Sequence, residues 1–156
     1  MNSIVESTWK LHHLGIPVHD LDKSLEDYKS LGNATFQPEF LIDSSKNAEY
    51  LVYGKKPVPA VKTRGVMGRV GPVGIELLQP VEGETVHKEL LDSTGEGVGH
   101  IAYVVDDLEQ EAAKMLEKGF PIILSIKPPG QSMRSAIYFD TRNKFSNLVI
   151  ELIQAR

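Results

Sequence analysis

Two histidines and two glutamates recur at matching positions of this chain, and their side chains are suited to binding one metal ion. The segment LHHLGIPVHDL at residues 11–21 matches VGHIAYVVDDL at residues 98–108, and IELLQ at 75–79 matches IELIQ at 150–154. The recurring residues are His13, Glu76, His100 and Glu151. Imidazole and carboxylate groups bind divalent Zn, Ni, Co, Mn or Fe without selecting sharply among them. The repeat therefore predicts a divalent metal site and leaves the metal open.

The alternation of side chains along a strand explains how the four groups would meet. Apolar residues at positions 14, 16 and 18 are expected to face a helix, which leaves His13 on the opposite face. The same parity places the other histidine and both glutamates on that face. A carboxylate buried in an apolar strand is costly unless it is paired or bound to a metal. Alternatively, the histidines are hydrogen-bonded core residues, and the glutamates pair with lysine or arginine at a rim.

Each copy of the repeat reads as a β-α-β-β-β unit, which predicts an α+β fold. Asp20 and Asp107 are good N-caps for amphipathic helices that end near Gly32 and Gly119. Alternating and β-branched segments predict the strands, which are expected over 9–18, 36–42, 48–53 and 73–78 in the first copy and over 98–105, 122–126, 135–139 and 148–153 in the second.

The two copies are expected to form a single domain over residues 1–156, made of modules at about 9–80 and 97–155. A short helix over 85–91 would link the modules. KKPVPAVKTRG at 55–65 is predicted to be a mobile loop, because it is rich in proline and basic residues.

The composition excludes several classes of function. The chain has 156 residues, no cysteine and a formal net charge of -4. Disulfides, thiolate ligands and a cysteine nucleophile are therefore excluded, and a mildly acidic protein does not attract nucleic acid or an anionic membrane. No apolar run is long enough to span a bilayer, and MNSIVESTWK does not resemble a signal peptide. We expect a cytoplasmic protein whose partner is a small-molecule substrate.

The remaining polar residues are less suited to catalysis. His12, His19 and His87 are predicted to be structural or solvated, with His87 on a surface helix. Glu49 lies on a predicted strand and could act as a base, although a lone acid there more often faces outward. Six basic loop residues could meet an anionic substrate, although most such residues are simply solvated. They are Lys55, Lys56, Lys62, Arg64, Lys127 and Arg134.

These motifs resemble the vicinal oxygen chelate superfamily, which contains glyoxalase I, methylmalonyl-CoA epimerase, extradiol dioxygenases and the fosfomycin and bleomycin resistance proteins. HHLGIPVHDLDKSLEDY, IELLQP, GHIAYVVDDLEQEAAKMLEKG and LVIELIQ are most similar to methylmalonyl-CoA epimerase-like members. The resemblance covers His13 to Gln154. It implies paired β-α-β-β-β modules that form an open, curved sheet around a metal-binding cleft, commonly in a homodimer. By position, it implies metal binding by His13, Glu76, His100 and Glu151.

Two departures from the epimerase pattern bear on the substrate. Glutamine often stands where this chain has Glu76, and a full His/Glu/His/Glu set is also that of bacterial glyoxalase I. TRNKFSNLVIEL at 141–152 has Phe145 and Asn147 where epimerases usually have glycines, and these residues are expected to reshape the mouth of the pocket. The extra length over 44–74 has the same implication.

The resemblance implies a metal-dependent isomerase or epimerase that transfers a proton next to a carbonyl, for example on methylmalonyl-CoA or a related acyl thioester. Glu151 is the first candidate base and Glu49 the second. The loop over 127–134 is a candidate lid. One alternative is a glyoxalase I-like lyase that acts on a glutathione hemithioacetal. Another is a metal-free binding protein that sequesters an antibiotic or other small molecule.

Overall fold

Three helices and an open sheet of ten strands make up the computed structural model, which describes residues 3–130 and 134–156. The strands are β1 (Lys10–Pro17), β2 (Ala34–Phe36), β3 (Phe40–Asp43), β4 (Glu49–Val52), β5 (Lys62–Val70), β6 (Val73–Glu82), β7 (His100–Val105), β8 (Ile122–Lys127), β9 (Ala136–Phe139) and β10 (Val149–Gln154). The helices are α1 (Leu21–Ser30), α2 (Val86–Thr94) and α3 (Leu108–Glu117). The predicted α+β class and open sheet are confirmed.

The two copies of the repeat meet in the middle of the sheet. β1 and β7 are antiparallel neighbours, with Gly15 opposite His100 and His13 opposite Ala102. β6 runs parallel to β1 on its other side, and β10 runs parallel to β7 on its other side. The four adjacent strands β6, β1, β7 and β10 therefore each carry one residue of the predicted metal-binding set.

Helices α1 and α3 cover one face of the sheet. Leu21 of α1 packs in one apolar cluster with Ile16 and Leu77, and Met115 of α3 packs in another with Leu152. Removal of these side chains from water is the main force that holds the helices on the sheet. As the strand parity predicted, the apolar residues between the repeated polar ones take the helix side.

The glutamine at the end of each repeated motif joins the last strand of its module to the first helix. The Leu21 N–H donates to Gln79 Oε1 at 2.9 Å, and the Leu108 N–H donates to Gln154 Oε1 at 2.9 Å. The predicted aspartate N-caps accept from the third residue after them in both helices. Each glutamine thus satisfies one N–H group that a helix leaves free at its start. The glutamine therefore recurs because it caps a helix, which is a structural role separate from the predicted metal site.

Two strands of the first copy differ from their predictions. The strand predicted over 36–42 is divided into β2 and β3, because Pro38 between them has no N–H for a ladder hydrogen bond. The strand predicted over 48–53 forms as β4, but it pairs with β8 of the second copy. The edge of one module therefore extends the sheet of the other.

The prediction of a mobile loop over 55–65 is wrong at its C-terminal end, because β5 begins at Lys62. Gly65 and Gly68 make this strand hard to recognise, because glycine is unfavourable in strands. They pair opposite Phe40 and Phe36. A Cβ at each position would lie 2.4 Å from Cζ of Phe40 and 2.3 Å from Cδ1 of Phe36. The glycines leave room for the two rings.

The linking helix predicted over 85–91 is present as α2, which has Thr85 as its N-cap and continues to Thr94. It lies on the face of the sheet opposite α1 and α3, where Leu90 packs in an apolar cluster with Ala102 and Tyr138. No helix among the described residues is long and apolar enough to cross a membrane.

Candidate metal centre

The four predicted metal-binding side chains meet on the α2 face of the sheet. They are His13, Glu76, His100 and Glu151, and one donor atom from each lies within 4.8 Å of all the others. The Nε2 atoms of the two histidines are 3.1 Å apart. Oε2 of Glu151 lies 3.3 Å from His13 Nε2 and 3.0 Å from His100 Nε2. Oε1 of Glu76 lies 3.6 Å and 3.7 Å from the same two nitrogens.

Small residues make room for both imidazole rings. A Cβ on Gly15 would lie 1.8 Å from Cε1 of His100, so the ring requires a glycine at that position. Ala102, which is also buried, stands opposite His13. Because each small residue is the strand partner of a histidine, the pairing of β1 with β7 builds the centre of the site.

The donor set fits a divalent cation. His13, His100 and Glu151 are 3%, 0% and 5% exposed. Oε2 of Glu151 has no hydrogen bond of acceptable geometry to any described residue, which is costly for a buried carboxylate. Two donors that bind one ion at about 2.1 Å are about 3 Å apart when they lie at right angles. The shortest distances in this cluster match that spacing, and one ion would satisfy the unpartnered oxygen.

The charges in the site also favour a cation. Burial by itself would lower the pKa of His13, but its close contacts with the carboxylates of Glu151 and Glu76 raise the pKa to about 10. Burial opposes the charge of Glu151, yet its close contacts with the imidazoles of His100 and His13 lower the pKa of Glu151 below its usual range. The two carboxylates therefore stabilise positive charge between them. A divalent ion would take the place of the proton on His13.

Glu76 and Glu151 line a cavity of about 440 Å³ with mainly apolar walls. Met67, the strand partner of Glu76, contributes to the wall, and Lys46 and Arg134 add positive charge to the lining. A second cavity of about 510 Å³ beside α2 has no residue of the cluster in its lining. The cavity at the cluster therefore combines an apolar enclosure with a few convergent polar groups, as small-molecule sites do.

Two buried side chains beside the cluster were not predicted to have a role. Tyr138 on β9 is the strand partner of Glu151, and its ring centroid lies 5.1 Å from that of His100. Burial, together with the charges of Glu151 and Glu76, raises the pKa of Tyr138 well above its usual value, so the phenol is neutral. His87 contacts both rings, with its ring centroid 6.0 Å from that of His100 and 5.7 Å from that of Tyr138. The repeat contains no signal for either residue.

The predictions for the other histidines are partly wrong. His87 is 1% exposed and is not on a surface face, because the first turn of α2 packs against the sheet. His12 is exposed, and its Nδ1 lies 2.8 Å from Nδ1 of His13, although strand parity predicts that the two side chains lie on opposite faces. A shift in the pairing of β1 with β7 at this point brings the two adjacent rings together. His19 is exposed, as expected.

Glu49 does not reach the cavity, which contradicts its prediction as a second base. The buried Tyr50 packs with Tyr138 on the α2 face, and Glu49, one residue earlier on β4, has the opposite parity. Ser125 Oγ donates a hydrogen bond to Glu49 Oε1 at 3.1 Å. The carboxylate lies in a separate surface cavity next to Leu108 of α3.

The basic residues divide between the cavity and the surface. Arg134 is one of the six predicted candidates and lines the cavity, and Lys46, which was not predicted, does so too. Arg64 instead forms ion pairs with Glu39 and Asp22 at 2.7 Å and 2.9 Å. The positive charge available to a substrate therefore comes from both modules.

The segments predicted to shape the mouth of the pocket have different positions. Residues 131–133 of the candidate lid over 127–134 lie outside the described residues, and Pro129 before them lines the cavity. Phe145 does not shape the mouth, because it packs against Phe120 in the apolar cluster under α3, with ring centroids 6.3 Å apart.

Comparison with known proteins agrees with this architecture. A family model described as the glyoxalase/bleomycin resistance protein/dioxygenase superfamily matches residues 12–139. The chain therefore belongs to this superfamily, which confirms the resemblance seen in the motifs. A search of curated proteins finds no match.

Solved structures with a similar fold include several methylmalonyl-CoA epimerases. The enzyme from Mycobacterium tuberculosis is 20% identical, with a TM-score of 0.69 over 97% of this chain and 92% of that chain. A hypothetical protein from Bacillus halodurans is 21% identical, with a TM-score of 0.68 over 96% of both chains. A variant of the Streptomyces coelicolor enzyme in complex with 2-nitronate-propionyl-CoA is 21% identical, with a TM-score of 0.66 over 96% of this chain and 99% of that chain.

Proposed function

We propose that this protein is a divalent-metal-dependent isomerase that moves a proton at a carbon next to a carbonyl group. The observation that carries the proposal is the convergence of four imidazole and carboxylate donors beside one cavity. His13, Glu76, His100 and Glu151 would hold the ion. When bound, the ion would act as a Lewis acid and stabilise negative charge on a carbonyl oxygen by several kcal/mol. Membership of the superfamily and the similarity in fold to methylmalonyl-CoA epimerases support this class of reaction.

Glu151 is the proposed base, a role in which its carboxylate would be displaced from the ion or held only loosely by it. Its side chain borders the cavity, and its lowered pKa keeps the carboxylate ionised at neutral pH. An ionised carboxylate within hydrogen-bond reach of a substrate C–H can accept the proton and later return it. The neutral phenol of Tyr138 beside it cannot act as an anion that competes for the same proton.

Glu76 is proposed to exchange the proton on the opposite face of the substrate carbon. It lines the same cavity as Glu151, and β1 and β7 lie between the strands that carry the two glutamates. Asp43 also lines the cavity, but its Oδ1 accepts hydrogen bonds from the backbone N–H and the hydroxyl of Ser45. Two carboxylates on either side of one carbon supply what an epimerisation requires, and Glu49 is not needed.

The lining of the cavity favours a substrate with an anionic group near the reacting carbon. Lys46 and Arg134 would attract that group, and the apolar walls would accept a methyl or methylene chain. Methylmalonyl-CoA combines a carboxylate with a thioester carbonyl, and the variant of the S. coelicolor epimerase with a similar fold is in complex with 2-nitronate-propionyl-CoA. An acyl thioester of a dicarboxylic acid is therefore the first substrate to test.

A glyoxalase-type lyase is the second candidate. The observation that favours it is that Glu76 and Glu151, two carboxylates facing the same cavity, lie within the donor cluster itself. Isomerisation of a hemithioacetal also removes a proton from the carbon next to a carbonyl, and it returns the proton to the former carbonyl carbon. Turnover of methylglyoxal with glutathione, in the absence of any exchange on methylmalonyl-CoA, would establish this alternative.

The proposed reaction is tested by deuterium uptake from heavy water into methylmalonyl-CoA, using protein loaded with Co(II). Glu151→Gln is expected to slow the exchange by about 10²–10⁴-fold, the usual contribution of a general base. Glu49→Gln is the matched control, because it makes the same change in a carboxylate outside the cavity, and it should leave the rate unchanged. Metal content measured in each sample separates loss of the base from loss of the ion. Exchange at the wild-type rate in Glu151→Gln would exclude Glu151 as the base.

A further inference from the structure

The imidazole of His87 is buried beside the proposed metal site with one nitrogen unpartnered. It lies in the first turn of α2 and is 1% exposed. Its Nδ1 has no hydrogen-bond partner in the part of the chain that the structure describes. An apolar side chain would fill this position without an unsatisfied nitrogen, and buried polar groups are normally hydrogen-bonded. A histidine here therefore requires an explanation.

The neighbouring side chain that could explain a histidine at position 87 is His100. The ring centroids of His87 and His100 are 6.0 Å apart, and the ring centroid of Tyr138 lies 5.7 Å from that of His87. Nε2 of His100 points into the donor cluster, 3.0 Å from Glu151. Its Nδ1 is buried and, among residues 3–130 and 134–156, has no hydrogen-bond partner either. Two adjacent imidazoles thus each leave Nδ1 unsatisfied.

The chemistry of a metal-binding histidine connects these two nitrogens. A histidine that binds a metal through Nε2 carries its proton on Nδ1, and that N–H usually donates to a group that orients the ring. His87 is buried, and burial favours the neutral form of an imidazole. A neutral imidazole keeps one nitrogen as an acceptor.

The other histidine of the cluster already has such a neighbour. Nδ1 of His13 lies 2.8 Å from Nδ1 of His12, a distance at which one ring donates a hydrogen bond to the other. His12 precedes His13 in the chain, and no histidine precedes His100, where the chain has Gly99. A partner for His100 must therefore come from elsewhere in the fold.

We propose that His87 is a positioning residue for His100, which donates from its Nδ1–H to Nδ1 of His87 after a small rotation of the rings. This inference rests on the proposed metal site. Each histidine of the cluster is then oriented by a second histidine, by His12 for His13 and by His87 for His100. The linking helix α2 would thereby act on metal affinity although it carries no metal-binding residue.

The test compares Co(II) binding by the full-length wild-type protein, His87→Phe and His87→Asn. The phenylalanine keeps an aromatic ring in the pocket but removes both nitrogens, whereas the asparagine keeps a polar group at the position of Nδ1. His87→Phe is expected to bind Co(II) about 10–100-fold more weakly and to alter the visible absorption of the bound ion. The metal-free form of this variant should be at least as thermally stable as wild type. His87→Asn should recover most of the affinity, and His19→Phe is the exposed control.

Three outcomes would overturn the inference. Wild-type affinity and an unchanged Co(II) spectrum in His87→Phe would show that His87 does not position His100, while the metal site would stand. Equal losses of affinity in the phenylalanine and asparagine variants would show that an acceptor at the position of Nδ1 does not support metal binding. A wild-type protein that binds no Co(II) would remove the inference together with the proposed function.

Discussion

The imidazole of His100 occupies the space that a Cβ on Gly15 would fill. The two residues are direct partners on β7 and β1, and a Cβ at residue 15 would lie 1.8 Å from Cε1 and 2.1 Å from Nδ1 of the ring. The ring is fully buried and packed against His87 and Tyr138, so it cannot shift far enough to make room for a Cβ at residue 15. A residue without a side chain thus determines where one of the proposed ligands lies.

Gly15→Ala is therefore expected to displace His100 and abolish tight metal binding. Overpacking of a filled core costs about 1–3 kcal/mol, so the free energy of unfolding of the metal-free protein should also fall by about that amount. Elemental analysis and chemical denaturation measure the two effects. Lys10→Ala, at an exposed position of the same strand, should change neither. Full metal content in Gly15→Ala would contradict the proposed role of His100.

Metal affinity is expected to rise with pH. Burial opposes a charge on His13, but its close contacts with the carboxylates of Glu151 and Glu76 raise the pKa to about 10 in the protein without metal, so an incoming ion must displace a proton. Below the pKa of about 10, the logarithm of the affinity should increase by about one for each pH unit. Titration of Co(II) against a chelator at several pH values measures this slope. An affinity independent of pH between about 6 and 9 would show that no proton is displaced.

The glutamine cap of α3 is expected to contribute to stability. In Gln154→Leu, the Leu108 N–H loses its acceptor, and the backbone carbonyl of Asp106 loses the donor that lies 2.7 Å away. Loss of a helix cap costs about 0.5–2 kcal/mol, which denaturant unfolding of the metal-free protein would detect. Gln110→Leu, on the exposed surface of the same helix, is the control. Equal stability of Gln154→Leu and wild type would show that the cap makes no net contribution.

The turn before β10 is expected to become more stable with glycine. Ser146 and Asn147 have φ values of 54° and 67°, in the left-handed region that glycine adopts without steric cost. Ser146→Gly removes about 1–2 kcal/mol of backbone strain and adds a smaller entropic cost in the unfolded chain, so unfolding should require slightly more denaturant. Ser24→Gly within α1 should have the opposite effect, because glycine is unfavourable inside a helix. A destabilised Ser146→Gly would contradict this account of the turn.

The parity of the repeated strands was sufficient to place four side chains on one face. His13 and Glu76 belong to one copy of the repeat and His100 and Glu151 to the other, and alternation along a strand does not depend on knowing its partners. The same reasoning located the helices, because an aspartate cap and apolar spacing are local signals. That these residues bind a metal remains a prediction.

The errors arose where the structure depends on contacts between distant segments. The glycines of β5 are explained only by the rings of Phe36 and Phe40 across the ladder, so no local signal predicts this strand. The position of Glu49 depends on the pairing of β4 with β8, which the local sequence does not predict. The burial of His87 depends on the packing of α2 against the sheet, which determines which face of the helix is buried.

The central claim is tested most directly by metal stoichiometry. Wild-type protein and His13→Ala would be equilibrated with Co(II), desalted and measured by elemental analysis. The account predicts about one tightly held ion per wild-type chain, since the cluster offers one set of donors, and none in the variant. Absence of metal from the wild-type protein, or equal retention by His13→Ala, would contradict the proposed metal centre and the chemistry that depends on it.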